Sequence, residues 1–249
     1  SGSRGIRLIE NYQEQELEKI YKYCKENSNS GCLVVEEFMQ GPEVSVETIS
    51  YKGICHVIQV TDKITTGSPY FVEMGHNQPS SLDKDTIEKI KKVAIDANKA
   101  IGIKNGPSHT EIKVTIDGPK VVELGARLGG DNITTHLVPY STGVNMVKAS
   151  INIALGQEID VRKKFEKASA TRYKKCDIGK ITKITGVEEA KKIQGVKDVK
   201  VVHGVGEESR QIKSSNDRVA YVISQAENTS KATLSCEKAL EKIKIEVEK

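Results

Sequence analysis

No stretch of this 249-residue chain is apolar for long enough to cross a bilayer, and its first residues lack the charged, then apolar, then small order that directs export. Membrane attachment and secretion are therefore not expected. Cysteine is scarce and scattered: Cys24, Cys32, Cys55, Cys176 and Cys236 are odd in number and never form a C-x-x-C pair. That argues against a disulfide framework or a thiolate zinc site and fits a reducing, cytoplasmic setting. A surplus of one charge is missing too. The formal net charge is only +4, and the lysines are dispersed among acids instead of forming a basic stripe interleaved with aromatics, so nucleic acid is not an expected partner. What is present, 37% hydrophobic and 29% charged residues, suits a folded protein of one large or two modest domains that can bury a core.

Hydrophobic periodicity supplies the elements. Leu17, Ile20, Tyr21 and Cys24 recur at helical spacing and predict a helix over 13–27. Strands are expected at 32–39, 43–50, 54–61 and 70–76, punctuated by turns such as Gln40-Gly41-Pro42 and Lys52-Gly53. A long helix follows over 82–101, then a hairpin, then a helix over 143–155. Near residue 160 charge rises and the period is lost, which divides the chain into 1–160 and 161–249. The second part reads as a small α+β unit, with strands at 168–173, 179–185, 199–202 and 218–224 and helices at 187–193 and 230–242.

The hairpin HTEIKVTIDGPKVVELGARLGG carries glutamates in otherwise apolar, strand-like surroundings. An even loop would turn Glu123 onto the apolar face of the first strand, where a carboxylate has no evident partner. An odd loop, Asp117-Gly118-Pro119, instead gathers Ile112, Val114, Ile116, Val122 and Leu124 on one face and puts Glu111, Lys113, Glu123 and Gly125 on the other. Adjacent carboxylates repel unless a cation sits between them. The pattern alone fits a solvated face as well as a cation site.

Several stretches, taken together, resemble the ATP-grasp superfamily. SGSRGIRLIEN resembles its phosphate-covering glycine-rich loop, LVVEEFMQGPEVSVETI its adenine and ribose segment, and the hairpin its metal-binding segment. The resemblance implies an α+β, partial ATP-grasp fold followed by a small C-terminal α+β cap domain. It implies that Gly2, Ser3, Arg4 and Gly5 turn amides toward the phosphates, and that Glu36, Phe38, Met39 and Glu43 hold adenine and ribose. Lys63 would reach a phosphate, and Glu111 and Glu123 would hold Mg²⁺ or Mn²⁺. Gly125 stands where many members have Asn, which puts a third protein ligand for a second metal in doubt.

DKITTGSPYFVEMGHNQPS narrows the resemblance toward the amino-acid-ligase-like branch, related to biotin carboxylase and carbamoyl-phosphate synthetase. On that likeness Glu73 holds a substrate ammonium, His76 faces the substrate, and Arg127 binds a carboxylate or acyl phosphate. Gly129 and Gly130 let substrate oxygens approach backbone amides. His109, His136 and the cysteines are read as structural. The implied activity is ATP- and Mg²⁺-dependent joining of a small-molecule carboxylate to an amine through an acyl phosphate. Alternatives are bicarbonate activation, as in biotin carboxylase, or a nucleotide-binding module without turnover. Family members carry an α/β domain and a lysine-bearing strand ahead of the glycine-rich loop, so a missing N-terminal domain or a split-gene partner is expected; self-association is also possible on this likeness.

Overall fold

The computed structural model describes residues 5–10 and 13–248. In chain order the regular elements are α1 (Glu14–Glu26), β1 (Glu43–Tyr51), β2 (Ile54–Thr65), β3 (Glu73–Gln78), α2 (Lys84–Ala100), β4 (Gly106–Thr115) and β5 (Gly118–Gly125). A π-helical turn at Ile133–Leu137 leads into α3 (Val138–Thr142) and α4 (Met146–Ala154). The remainder comprises β6 (Ala168–Lys174), β7 (Gly179–Thr185), α5 (Val187–Lys191), β8 (Val196–Val201), β9 (Glu208–Ser209), a 3₁₀ turn, β10 (Ala220–Ala226), α6 (Thr229–Lys242) and β11 (Lys244–Glu248). This mixture of helix and strand is the α+β architecture that the sequence implies.

Eight strands form one antiparallel sheet in the order β5-β4-β1-β2-β3-β6-β10-β8, and β11-β7-β9 form a second. Because β6 pairs with β3, the large sheet runs through the composition change near residue 160.

Alternation along β1 decides what each sheet face does. Val44 and Val46 point one way and pack with Ile112 of β4 against Ile90 and Ala94 of α2. Helix α2 is held at its start by Asp83, whose carboxylate accepts from the Thr86 amide at 2.9 Å. Glu43, Ser45, Glu47 and Ile49 therefore point to the opposite face. Over the far end of that face, Ile49 meets Val138, Val144, Met146 and Ala149 in a separate apolar cluster. The polar half of the face is left uncovered by that cluster. In the C-terminal part, Ala168, Ala170 and Val222 pack under Ala232, Cys236 and Ala239 of α6.

Four expectations are corrected. Residues 32–39 form no strand: they lie outside both sheets, with Val34 and Val35 80% and 89% exposed. Alternating apolar residues make a strand only where a second strand completes the ladder, and none does so among the described residues. The third strand starts at Glu73, not at residue 70, because Gly67 and Phe71 take positive φ values of 71° and 50° in the loop before it. The hairpin turn is the even loop Ile116-Asp117, since Thr115 pairs with Gly118. Ile116 is consequently fully exposed at the tip and does not join the apolar face. A bulge restores the parity: Ile112 pairs with Val121 while Glu111 pairs with Glu123, leaving Val122 extra and 41% exposed.

Candidate active site

The register carries a row of polar residues across the face opposite α2. Glu123 on β5 lies opposite Glu111 on β4. Glu111 lies opposite Ser45 on β1, and Lys63 on β2 lies opposite His76 on β3. Lys63 is the centre. Its nearly buried ammonium donates to Glu43 Oε1 at 2.5 Å and Glu111 Oε2 at 2.9 Å, with Glu73 Oε1 at 3.6 Å. Three glutamates from three strands, more than 60 residues apart in sequence at the extremes, thus share one cation. Burial opposes the charge on Lys63, but Glu111, Glu43 and Glu73 outweigh it and raise the ammonium above its ordinary range. Lys63, the residue expected to reach a phosphate, is held by these carboxylates.

A second cation supports the same carboxylate from below. His109 Nδ1 donates to Glu47 Oε1 at 2.7 Å and Nε2 donates to Glu111 Oε1 at 3.3 Å. Burial would lower the imidazolium, but the bonds to Glu111 and Glu47 prevail and raise it to about 9. For Glu111 burial pushes upward, and His109 with Lys63 overrides it, holding the carboxyl at about 2. Glu47 is fully buried; Ser45 Oγ donates to its Oε1 at 3.1 Å, while its Oε2 has no partner. Gly129 fits against this pair so closely that a Cβ there would stand 2.7 Å from Glu47 Oε2 and from His109 Nδ1. The room left by that glycine is occupied by protein groups. Gly130 faces open space.

The remaining anticipated residues divide in two. Arg127 is exposed, its Nη2 3.5 Å from Glu123 Oε1 and its Nη1 donating to the Leu128 carbonyl at 3.1 Å, so it joins the row at the β5 end. His76 is buried, with Nε2 3.4 Å from Asp131 Oδ2. Glu36, Phe38 and Met39 stand off the sheet in the irregular 32–40 segment, where Phe38 packs its ring 6.0 Å from Phe71. Glu36 takes part in none of the row's ion pairs. Gly5, at φ 74°, abuts Asn27 at the end of α1; Gly2, Ser3 and Arg4 lie outside the described residues.

Two partners of the row escaped the sequence reading although a signal existed. His109 precedes Glu111 by two residues and Glu47 follows Glu43 by four, which in strands means the same face. Asp131 and Arg218 also belong to the neighbourhood, and nothing local marks either of them.

Paired carboxylates on one sheet face suit a hard divalent cation. Among the described residues no group of three or more His, Cys, Asp or Glu side chains is assembled that could hold a metal ion. Among the same residues, no helix is long and apolar enough to cross a membrane.

Comparison with known proteins assigns this acid-rich antiparallel sheet to a class. The ATP-grasp domain model matches residues 1–135, more than half of the chain, and the chain belongs to the ATP-grasp family. A second model, the L-amino acid ligase C-terminal domain 2, matches residues 176–248. An uncharacterised protein of Sinorhizobium fredii is 28% identical over 246 residues, covering 98% of this chain and 50% of its own length. Alanine–anticapsin ligase of Bacillus subtilis is 28% identical over 185 residues, covering 66% of the chain and 39% of the ligase. The crystal structure of L-amino acid ligase from Bacillus licheniformis superposes with a TM-score of 0.75 at 26% identity, over 85% of this chain and 53% of that one. The chain thus spans half or less of the length of these two curated relatives.

Proposed function

We propose that the chain is the metal- and substrate-holding portion of an ATP-dependent carboxylate–amine ligase. The observation that carries this reading is the convergence of Glu43, Glu73 and Glu111 on Lys63, with Glu123 directly opposite Glu111. Glu111 and Glu123 offer hard oxygens to Mg²⁺, Glu43 offers its carboxylate to ribose hydroxyls, and Glu73 suits an ammonium. A Mg²⁺ held by Glu111 and Glu123 would supply neutralisation of the charge that develops during phosphoryl transfer. The substrate carboxylate attacks the γ-phosphorus, ADP leaves, and an amine then displaces phosphate from the acyl phosphate. Positioning and charge neutralisation by the protein account for most of the acceleration. The ligase names among the relatives and the match of residues 176–248 to an amino-acid-ligase domain support the amine acceptor. On this reading the division near residue 160 separates the nucleotide part from its cap in sequence, while the large sheet continues across it.

ADP release by the full-length protein tests the reading. Release stimulated by pairs of amino acids is expected; release that requires bicarbonate instead would replace this function with carboxylate activation of another kind. In the same assay Arg127→Lys is expected to lose about 2 kcal/mol or more of transition-state stabilisation, because an ammonium cannot reproduce the planar two-point grip of a guanidinium on a carboxylate or phosphate. Unchanged kcat/KM would remove Arg127 from the reacting groups.

A further inference from the structure

Arg218 lies in the segment that matches the ligase C-terminal domain, yet its buried side chain reaches Asp131 and Glu73 of the ATP-grasp segment. Its Nη1 donates to Asp131 Oδ2 and its Nη2 to Asp131 Oδ1, each at 2.7 Å. Nη1 also donates to the Glu73 carbonyl at 3.0 Å, and Nε to the Ser215 carbonyl at 2.8 Å. The guanidinium lies 3.6 Å over the Tyr173 ring, whose hydroxyl donates to the Asp131 carbonyl at 3.0 Å. No part of this is loosely held. Asp131 and the next residue, Asn132, both take left-handed backbone conformations, with φ of 50° and 65°. Such consecutive conformations in non-glycine residues persist where surrounding contacts over-determine them. Here the contacts are the two-point ion pair and the tyrosine hydroxyl.

What Asp131 does with its remaining capacity links the pair to the row. The His76 ring, 1% exposed, places Nε2 3.4 Å from Asp131 Oδ2, while Nδ1 has no partner. A carboxylate can only accept, so Nε2 carries a proton, and in the neutral ring the Nδ1 lone pair is an unfilled acceptor. A buried acceptor without a partner is costly unless a ligand or water fills it. Glu73, three residues earlier on the same strand, is tied at its carbonyl to Arg218 and through its side chain to Lys63.

We propose that Arg218 is a positioning residue for the amine-side substrate: through Asp131 and the Glu73 carbonyl, the C-terminal unit sets the tautomer of His76 and the placement of Glu73. The substrate side of the site is then built from both family segments, and the acceptor it presents takes an N–H of an amine or ammonium. This assignment rests on the ligase reading above. Four of the five guanidinium N–H donors reach an acceptor, two of them on Asp131 and one each on the Glu73 and Ser215 carbonyls, and the plane stacks on an aromatic ring, so lysine cannot substitute.

The test uses the 249-residue chain with ring-¹⁵N histidine, His76 being assigned by its loss in His76→Gln. The parent is expected to show an Nε2–H tautomer with Nδ1 at a lone-pair shift. Arg218→Gln, and Arg218→Lys as the variant that keeps the charge, should each shift the His76 tautomer ratio at least threefold toward Nδ1–H while the β-sheet amide dispersion is retained. His76 nitrogens identical to the parent's in a folded Arg218 variant would overturn the proposal. A second readout is the full-length protein, where Arg218→Lys should raise KM for the amino substrate tenfold or more and leave KM for ATP unchanged. Equal changes in both KM values, or in neither, would overturn it. If the parent releases no ADP with any amine, the ligase reading falls, and the nitrogen shifts still decide the role of Arg218.

Discussion

Replacing His109 with leucine is expected to destabilise the chain by about 3–5 kcal/mol, the cost of stripping one partner from a buried ion pair. The effect is large because Glu47 is fully buried, keeps only the Ser45 hydroxyl on Oε1, and already has an unpartnered Oε2. Leucine fills the volume of the imidazole but leaves that carboxylate with no cation. Urea unfolding measures the loss; a midpoint unchanged from the parent's would show that His109 carries no charge in the folded state. The pH dependence gives an independent sign. His109 is raised from 6.5 to about 9 on folding, so its stabilisation is complete below pH 6.5 and disappears as pH rises through 9. Relative to His109→Gln, which keeps a neutral donor, the parent should lose on the order of 3 kcal/mol between pH 6.5 and 10. Glu111 acts at the other end: lowered from 4.5 to about 2, it contributes above pH 4.5 and ceases to do so as pH falls through 2. A parent-minus-variant difference that stays constant from pH 6 to 10 would reject a protonated His109.

The same residues show how far sequence reaches. Alternation along 43–50 and the long helical period after Leu82 are local patterns, and both elements stand where they were expected. The facing of Glu111 and Glu123 was legible because a carboxylate on the α2 side would have had no partner, although its cause, a bulge at Val122 instead of an odd loop, was not. A valine in a bulge has the same composition as a valine in a ladder. Residues 32–39 misled for a related reason: their composition suits a strand, but a ladder depends on a neighbour that composition does not contain. His109 could have been placed from its offset of two to Glu111, had histidine not been so often a structural residue. Asp131 and Arg218 could not. Their pairing joins positions 87 residues apart, and it depends on left-handed backbone at Asp131 and Asn132 that no turn motif announces.

Removing the carboxylates at 111 and 123 together is expected to weaken Mg²⁺-dependent ADP binding by at least about a hundredfold, since loss of even an outer partner of a metal ligand costs 10–100-fold. Calorimetry with and without Mg²⁺ separates that effect from contacts to the base and sugar, which should be unaltered. The two positions are not equivalent, and the difference sharpens the test. Both oxygens of Glu111 are engaged, Oε1 by His109 and Oε2 by Lys63 at 2.9 Å, so an arriving cation competes with an ammonium for the same oxygen. Mg²⁺ alone should therefore bind feebly, and nucleotide phosphates should make the exchange favourable by supplying further oxygens and drawing Lys63 toward them. Glu111→Gln also removes the counter-charge of two buried cations, so its loss of binding will be accompanied by a lower unfolding midpoint. Glu123 stands exposed, with only Arg127 at 3.5 Å. Surface pairs of that kind contribute little to folding. Glu123→Gln should consequently leave the urea midpoint where it is and still weaken binding of ADP in the presence of Mg²⁺. If Glu123→Gln binds the Mg²⁺–ADP pair as tightly as the parent, then the carboxylate opposite Glu111 is a solvated residue of the hairpin and the two-glutamate metal site is wrong.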